Sequence, residues 1–414
     1  MYNFSLYLLT LFSLYITNKC GKVSEGNVPL RRRNTMKLRS LLMASAILLT
    51  GPGTYSASAD TLNAAVGVGP KNMITQTMES FATYVGENSD IDIKVFSMSL
   101  LNLKETPPGI RDGVADLGFV LSAYFPAEYS ETNLVAGLGM LTTAGVQVEN
   151  TGAVIAGAMS DYVFNCAECQ SEYVEQGQVY LGTGTSTTYM MLCTSPVTTL
   201  EDIKGKKFRS GSANFSRWAE HFGGVAVSIP GNDQYEAMGQ GVIDCTMAAA
   251  AELTNYSLFD VTKNITLNIP GGNFAGVGTN NFNIDVWRGF TDEERAVLLK
   301  ASARSAAELT SRYYAAAVRD IEAAREMGIE ILNANAEVKA ESDAFVDADL
   351  QFIGNEFIEN YGVGNTDVKI AEFTKLVDKW KTLVGHIGDD QEALAQVYWD
   401  EVFSKVDPAT YGMN

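Results

Sequence analysis

The chain has 414 residues, 46% of them apolar, and a formal net charge of −19 at pH 7. That length supports one large or two ordinary domains with full cores, and the acidic balance disfavours nucleic acid or an anionic membrane as a partner. With two histidines, His221 and His386, there is no His-Glu-x-x-His zinc motif and little from which to build a Ser-His-Asp triad.

Met36-Lys-Leu-Arg begins a positive segment followed by the apolar run Leu41 to Leu49, and Ala57-Ser-Ala59 is a small-x-small cleavage signal. Residues 36–59 therefore read as a signal peptide ending near Ala59, which places the mature chain in the periplasm. Residues 1–35 are expected to be an upstream mis-start or an atypical leader, because their apolar run is too short to span a bilayer. Seven of the 30 basic residues and one of the 49 acidic residues lie before Asp60, so the mature chain is more acidic still. Its global field repels an anionic ligand, and any anion site must rest on local groups. No mature segment reaches the roughly 18 apolar residues of a membrane span, so no membrane insertion of the mature chain is expected.

Leu62–Val66 reads as a strand, and Ile74, Met78, Phe81 and Val85 recur at helical spacing after it. Ile91, Ile93 and Val95 alternate as a second strand. Residues 107–113 form a short helix ending on Gly, and residues 114–120 a third strand. This β-α-β-α-β opening predicts an α/β layer fold. Tyr124 and Phe125 follow at a strand's carboxyl end, placed to stack on a ligand or to pack. Residues 131–160 read as helical, and residues 162–164 and 179–181 as strands. Gly182-Thr-Gly-Thr-Ser-Thr-Thr188 is a flexible polar run, expected at a hinge with its hydroxyls near a cleft; it lacks the Lys of a phosphate loop.

Residues 190–193 lead as a strand into the segment from Asp202 to Cys245. There a short helix and Gly205 precede a strand carrying Arg209 near its end, then helix, Gly pair, strand, helix, Gly241 and strand. Ligands of such sheets sit outside the strands' carboxyl ends, so Arg209 is the candidate anchor for a small organic carboxylate. Asp233-Gln-Tyr-Glu236 has the form of a capping box, and Trp218 is expected either in the cleft or in the core. Gly113-Val-Ala-Asp116 and Gly241-Val-Ile-Asp244 form a pseudo-repeat suggesting two related lobes. Residues 264–269 are a strand. Thr291-Asp-Glu-Glu294 opens a helix to about Met327, long enough at roughly 50 Å to brace both lobes. Helices are expected at 336–360, 367–384 and 391–405.

Of the four cysteines after residue 60, Cys166, Cys169, Cys193 and Cys245, an even number in an oxidising compartment suggests disulfides. Free buried thiols remain an alternative, and a C-x-x-C redox or four-Cys metal site a remoter one. No cofactor, metal site or catalytic set is expected.

The order and spacing of Gly113-Val-Ala-Asp-Leu-Gly, Asp202-Ile-Lys-Gly-Lys-Lys-Phe-Arg209, Gly223-Gly-Val-Ala-Val-Ser-Ile, Tyr235-Glu-Ala-Met-Gly-Gln-Gly-Val-Ile-Asp244 and Asn283-Ile-Asp-Val-Trp287 carry a resemblance. Over residues 60–385 the chain resembles the substrate-binding proteins of tripartite ATP-independent periplasmic (TRAP) transporters, the C4-dicarboxylate-binding-protein-like family. The resemblance implies a two-lobed periplasmic-binding-protein-like fold, a cleft that closes on ligand, and a long helix spanning both lobes. Lobe one is then 60–186 plus 270–310, lobe two 187–269 plus 311–385, and 386–414 a helical tail. It implies that Arg209 pairs with the ligand carboxylate and that two integral membrane subunits receive the ligand; Tyr124, Thr185, Asn214, Trp218 and Phe274 are the further expected ligand contacts.

Many relatives have a second Arg near the hinge, where this chain has Thr183 to Thr188, and Gly-Gln-Glu-Asn-Pro after the Asp, where it has Cys245-Thr-Met-Ala-Ala. Sialic acid and small dicarboxylates lose support accordingly. A monocarboxylate gains it, an aromatic one in view of Tyr124, Phe215, Trp218 and Phe274. A ligand-sensing periplasmic receptor for a signalling system is the alternative function. An exported enzyme on the same fold would need Cys245 or His221 as nucleophile or base, and no partner spacing supports that.

Overall fold

A computed structural model describes residues 61–413; the expected signal peptide at 36–59 and the segment before it lie outside the described residues. The strands in chain order are β1 (Leu62–Val66), β2 (Ile93–Ser97), β3 (Leu117–Val120), β4 (Gln178–Val179), β5 (Met190–Cys193), β6 (Lys207–Ser210), β7 (Val225–Ser228), β8 (Cys245–Ala248), β9 (Asn264–Pro270), β10 (Gly278–Asn283) and β11 (Glu330–Leu332). They form two mixed sheets, ordered β2-β1-β3-β10-β4 and β11-β9-β5-β8-β6-β7. Each sheet contains a parallel trio, β2-β1-β3 and β7-β6-β8. Each trio is extended by an antiparallel strand, β10 beside β3 and β5 beside β8.

The pseudo-repeat builds the same junction in both trios. Gly113 (φ 73°) and Gly241 (φ 69°) take the left-handed conformation that ends each short helix, which glycine adopts without a Cβ clash. Asp116 then accepts the Asn63 N–H at 2.7 Å, and Asp244 accepts the Lys207 N–H at 2.8 Å. In each case the carboxylate satisfies a backbone donor at the start of the neighbouring parallel strand.

Three segments cross between the sheets: residues 180–189, residues 271–277, and the 35-residue helix Asp292–Glu326. At 1.5 Å per residue that helix spans about 52 Å. Thr291 and Glu294 cap it reciprocally. It packs on helix Met73–Asn88 and on β10 in the first sheet and on β11 in the second. The fold is thus α/β and two-lobed, with one helix common to both lobes.

The four cysteines form two disulfides, Cys166–Cys169 and Cys193–Cys245, the second between residues directly opposite on β5 and β8. Among the described residues this pairing leaves neither free thiols nor a four-Cys metal site. Several local expectations are corrected. Residues 162–164 lie inside helix Thr151–Asn165, not in a strand; residues 152–164 are buried on every face, so their apolar run carries no helical period. Asp233 makes no side-chain cap, because the turn Gly231–Asp233 already precedes its helix. The capping box in this half is Thr199 with Asp202. The run 182–188, expected to be flexible, is buried in one of the crossings: Thr183 and Thr185 are 0% and 2% exposed, and hydroxyls of Ser160, Thr279 and Thr310 accept the N–H groups of Thr183, Gly184 and Thr185. The carboxyl-terminal segment is packed in, with Tyr398 donating to the Ala153 carbonyl and Tyr411 to that of Tyr180. Among the described residues no helix is long and apolar enough to cross a membrane.

Candidate functional site

A cavity lies where the carboxyl ends of the parallel strands face each other across the two sheets. It offers about 50 Å³ of room for the centres of water molecules. The second sheet supplies one polar side chain from each strand of its trio: Arg209 on β6, Gln234 after β7 and Glu252 after β8. The first sheet supplies Phe119 on β3 and Tyr124 beyond it. The crossings supply Thr185, Ser186, Tyr189 and Phe274, and the long helix Leu309 and Tyr313.

Arg209 is 4% exposed. Its Nε donates to the Ile229 carbonyl at 3.0 Å and its Nη2 to the Tyr124 hydroxyl at 3.2 Å. The same hydroxyl accepts the Gly231 N–H at 3.1 Å, so Tyr124 ties the first sheet's end to the second sheet's arginine and backbone. Arg295 is equally buried but pairs with Asp292. Among the described residues no carboxylate forms an ion pair with Arg209. A buried guanidinium held by one carbonyl and one phenol keeps charge and donors in reserve, and its fork matches a carboxylate. Gly211 makes the close packing possible: a Cβ there would stand 3.1 Å from the Phe274 ring and 3.4 Å from the guanidinium nitrogens.

Aromatic rings wall the cavity in layers. Tyr189 stacks on Phe215 with centroids 4.6 Å apart and lies nearly parallel to Phe274 at 6.4 Å. Burial raises the Tyr189 phenol well above its ordinary range. Thr185 donates its hydroxyl to the Phe274 carbonyl, fixing one crossing against the other.

Glu252 is 7% exposed and accepts from Asn255 Nδ2 at 3.1 Å and from the Tyr313 hydroxyl at 2.9 Å. Burial pushes its carboxyl up to about 7, against the opposing pull of those two hydrogen bonds and the Arg209 charge. Gln234 is 1% exposed; its Oε1 accepts from Thr246 at 2.8 Å, and its Nε2 has no protein partner.

Of the six residues expected around the ligand, the structure brings Arg209, Tyr124, Thr185 and Phe274 together on the cavity wall. Asn214 and Trp218 stand elsewhere. Trp218 is fully buried beneath the sheet, against Phe208 and Phe222, with Nε1 donating to Ser342 at 3.1 Å. Asn214 is buried in the same helix's first turn, accepting from Ser212. Sequence reasoning missed Tyr189, Gln234, Glu252 and Tyr313. The place of Gln234 and Glu252 just past the strands of the Arg209 trio was the available signal.

The family model of bacterial extracellular solute-binding protein family 7 (DctP) matches residues 64–356. A curated solute-binding protein of Albidiferax ferrireducens is 34% identical over 76 residues, 18% of this chain, and the match spans 22% of that relative's length. Among solved structures, a TRAP periplasmic solute-binding protein of Xanthobacter autotrophicus Py2 with bound β-D-galacturonate is 20% identical, with TM-score 0.62, covering 76% of this chain and 99% of that one. A marine metagenome TRAP solute-binding protein specific for pyroglutamate is 15% identical, with TM-score 0.65 over 78% of this chain and 99% of that one. A third, from Bordetella bronchiseptica with bound mandelate, is 18% identical, with TM-score 0.62 over 77% and 99%. The chain belongs to bacterial extracellular solute-binding protein family 7, the family of the TRAP receptors that its sequence resembles.

Proposed function

We propose that this protein is a periplasmic receptor that captures a small organic monocarboxylate between its lobes and delivers it to the two integral membrane subunits of a TRAP transporter. The observation that carries this reading is Arg209, buried at a strand's carboxyl end on the cavity wall and held by Tyr124 and Ile229 but, among the described residues, by no carboxylate. Structural relatives hold galacturonate, pyroglutamate and mandelate, all carboxylic acids. Arg209 clamps the ligand's carboxylate, and Tyr124, Thr185 and Phe274 close around its body. A hydrogen bond to a charged group contributes about 1.5–3 kcal/mol, while micromolar affinity needs about −8 kcal/mol. Apolar burial between the rings must supply the remainder as the lobes shut.

The protein binds without chemistry and is exported by a signal peptide cleaved near Ala59. A thermal-shift screen of aliphatic, keto, hydroxy and aromatic acids tests the reading. Some monocarboxylates should raise the melting temperature, be recovered unchanged and bind one per chain. Turnover of a bound acid, or stabilisation by uncharged solutes alone, would overturn it. Amino-terminal sequencing of the exported chain checks the cleavage site.

A further inference from the structure

Glu252 is the feature of the cavity that gripping a carboxylate does not explain. It stands on the same wall as Arg209, where a second negative charge works against an anionic ligand. Glu252 Oε2 accepts a hydrogen bond from Asn255 and Oε1 one from Tyr313. A carboxylate oxygen has two acceptor sites, so capacity remains on both. Gln234 contributes the complementary group: its Oε1 is turned to Thr246, which leaves an amide N–H donor without a protein partner in a side chain 1% exposed. The cavity thus presents a fixed cation, a neutral donor and an acidic acceptor.

We propose that this cleft selects monocarboxylates that also carry an N–H or O–H donor, with the carboxylate on Arg209, an oxygen of the ligand on Gln234 Nε2 and the donor on Glu252. The proposal rests on the reading of Arg209 above and adds the second half of the ligand. A donor-free acid leaves Glu252 facing carbon, which a buried acceptor disfavours. A dicarboxylate sets a second anion against it, which costs more.

The groups facing Glu252 are Arg209 from β6, Tyr313 and Asp320 from the long helix, Tyr189 ahead of β5, and Asn255 and Tyr256 from its own turn. Burial holds the three phenols neutral, and arginine does not titrate. Glu252 itself ionises near pH 7. Raising the pH from 6 to 8 therefore strengthens a ligand that donates to Glu252 and weakens one that offers it only carbon or another anion.

The experiment is calorimetric titration of wild type and Glu252→Gln with acids paired by the presence of a donor, at pH 6 and pH 8. Suitable pairs are mandelate with phenylacetate, and pyroglutamate with cyclopentanecarboxylate. In wild type the donor-bearing member should bind roughly tenfold to a hundredfold tighter, with a wider gap at pH 8. In Glu252→Gln the gap and its pH dependence should shrink together. Equal affinities within the pairs, or a gap that the variant leaves intact, overturns the proposal; the latter is what a role confined to holding Asn255 and Tyr313 produces. If the variant does not fold, the wild-type gap and its pH dependence decide alone. Donor-free acids bound through Arg209 sink this proposal and leave the carboxylate reading standing, whereas no binding of any carboxylate sinks both.

Discussion

Tyr124→Phe removes one oxygen from the point where the two sheets meet. That oxygen accepts from Arg209 Nη2 at 3.2 Å and from the Gly231 N–H at 3.1 Å. Gly231 is buried, and Arg209 is 4% exposed. In the closed form the variant leaves both donors short of an acceptor, at about 1–3 kcal/mol for a buried unsatisfied group. In an open form water replaces the phenol, so the loss falls mainly on closure. Affinity for the ligand should therefore drop by roughly tenfold to a hundredfold, while the melting temperature of the unliganded protein changes much less. Calorimetry and thermal melts with and without ligand separate the two effects. An affinity within twofold of wild type, or a melting loss equal in both states, would refute the idea that this hydroxyl latches the cleft.

Other consequences concern stability. Burial raises the carboxyls of Glu172 and Glu252 to about 7 each, so the folded protein keeps protons that the unfolded chain releases above about pH 4.5. Stability should consequently fall by a few kcal/mol as the pH rises from about 5 to 8, and Glu252→Gln should flatten the slope in urea melts at a series of pH values. Breaking Cys193–Cys245, which are 52 residues apart, should cost about 4 kcal/mol by loop entropy, against about 2 kcal/mol for Cys166–Cys169, 3 residues apart; denaturation of the paired Cys→Ala variants measures both. Arg217 pairs with Asp349 at 2.6 and 2.7 Å and with Glu356 at 3.0 Å, joining helix Ala213–His221 to helix Ala336–Tyr361. Arg217→Ala should cost about 3–5 kcal/mol in urea denaturation, and a loss below about 1 kcal/mol would place the pair among weak surface bridges.

The helical brackets at Thr291 and Gly328 and the paired Gly113 and Gly241 junctions were legible because capping and positive φ leave residue-specific marks. Arg209 was singled out by its place near a strand's carboxyl end and by the resemblance of the Asp202–Arg209 segment, and the structure sets it on the cavity wall. Residues 162–164 were misread because a helix buried all round has no polar face to betray its period. Asn214 and Trp218 follow Arg209 closely in sequence, but their helix turns them into the core. Glu252 was missed for the converse reason. It follows four alanines, and its partner Tyr313 lies 61 residues away on another element. Non-local contact completes that half of the site, and only its place just past β8 marks it in the sequence.

The central claim is that the Arg209 guanidinium holds the ligand's carboxylate. Calorimetric titration of Arg209→Lys, with an acid that wild type binds, tests it most directly. Lysine keeps the charge and loses the two-pronged geometry, so the affinity should fall by about tenfold to a hundredfold while the empty protein melts at nearly the wild-type temperature. Equal affinity in the two proteins would contradict the claim.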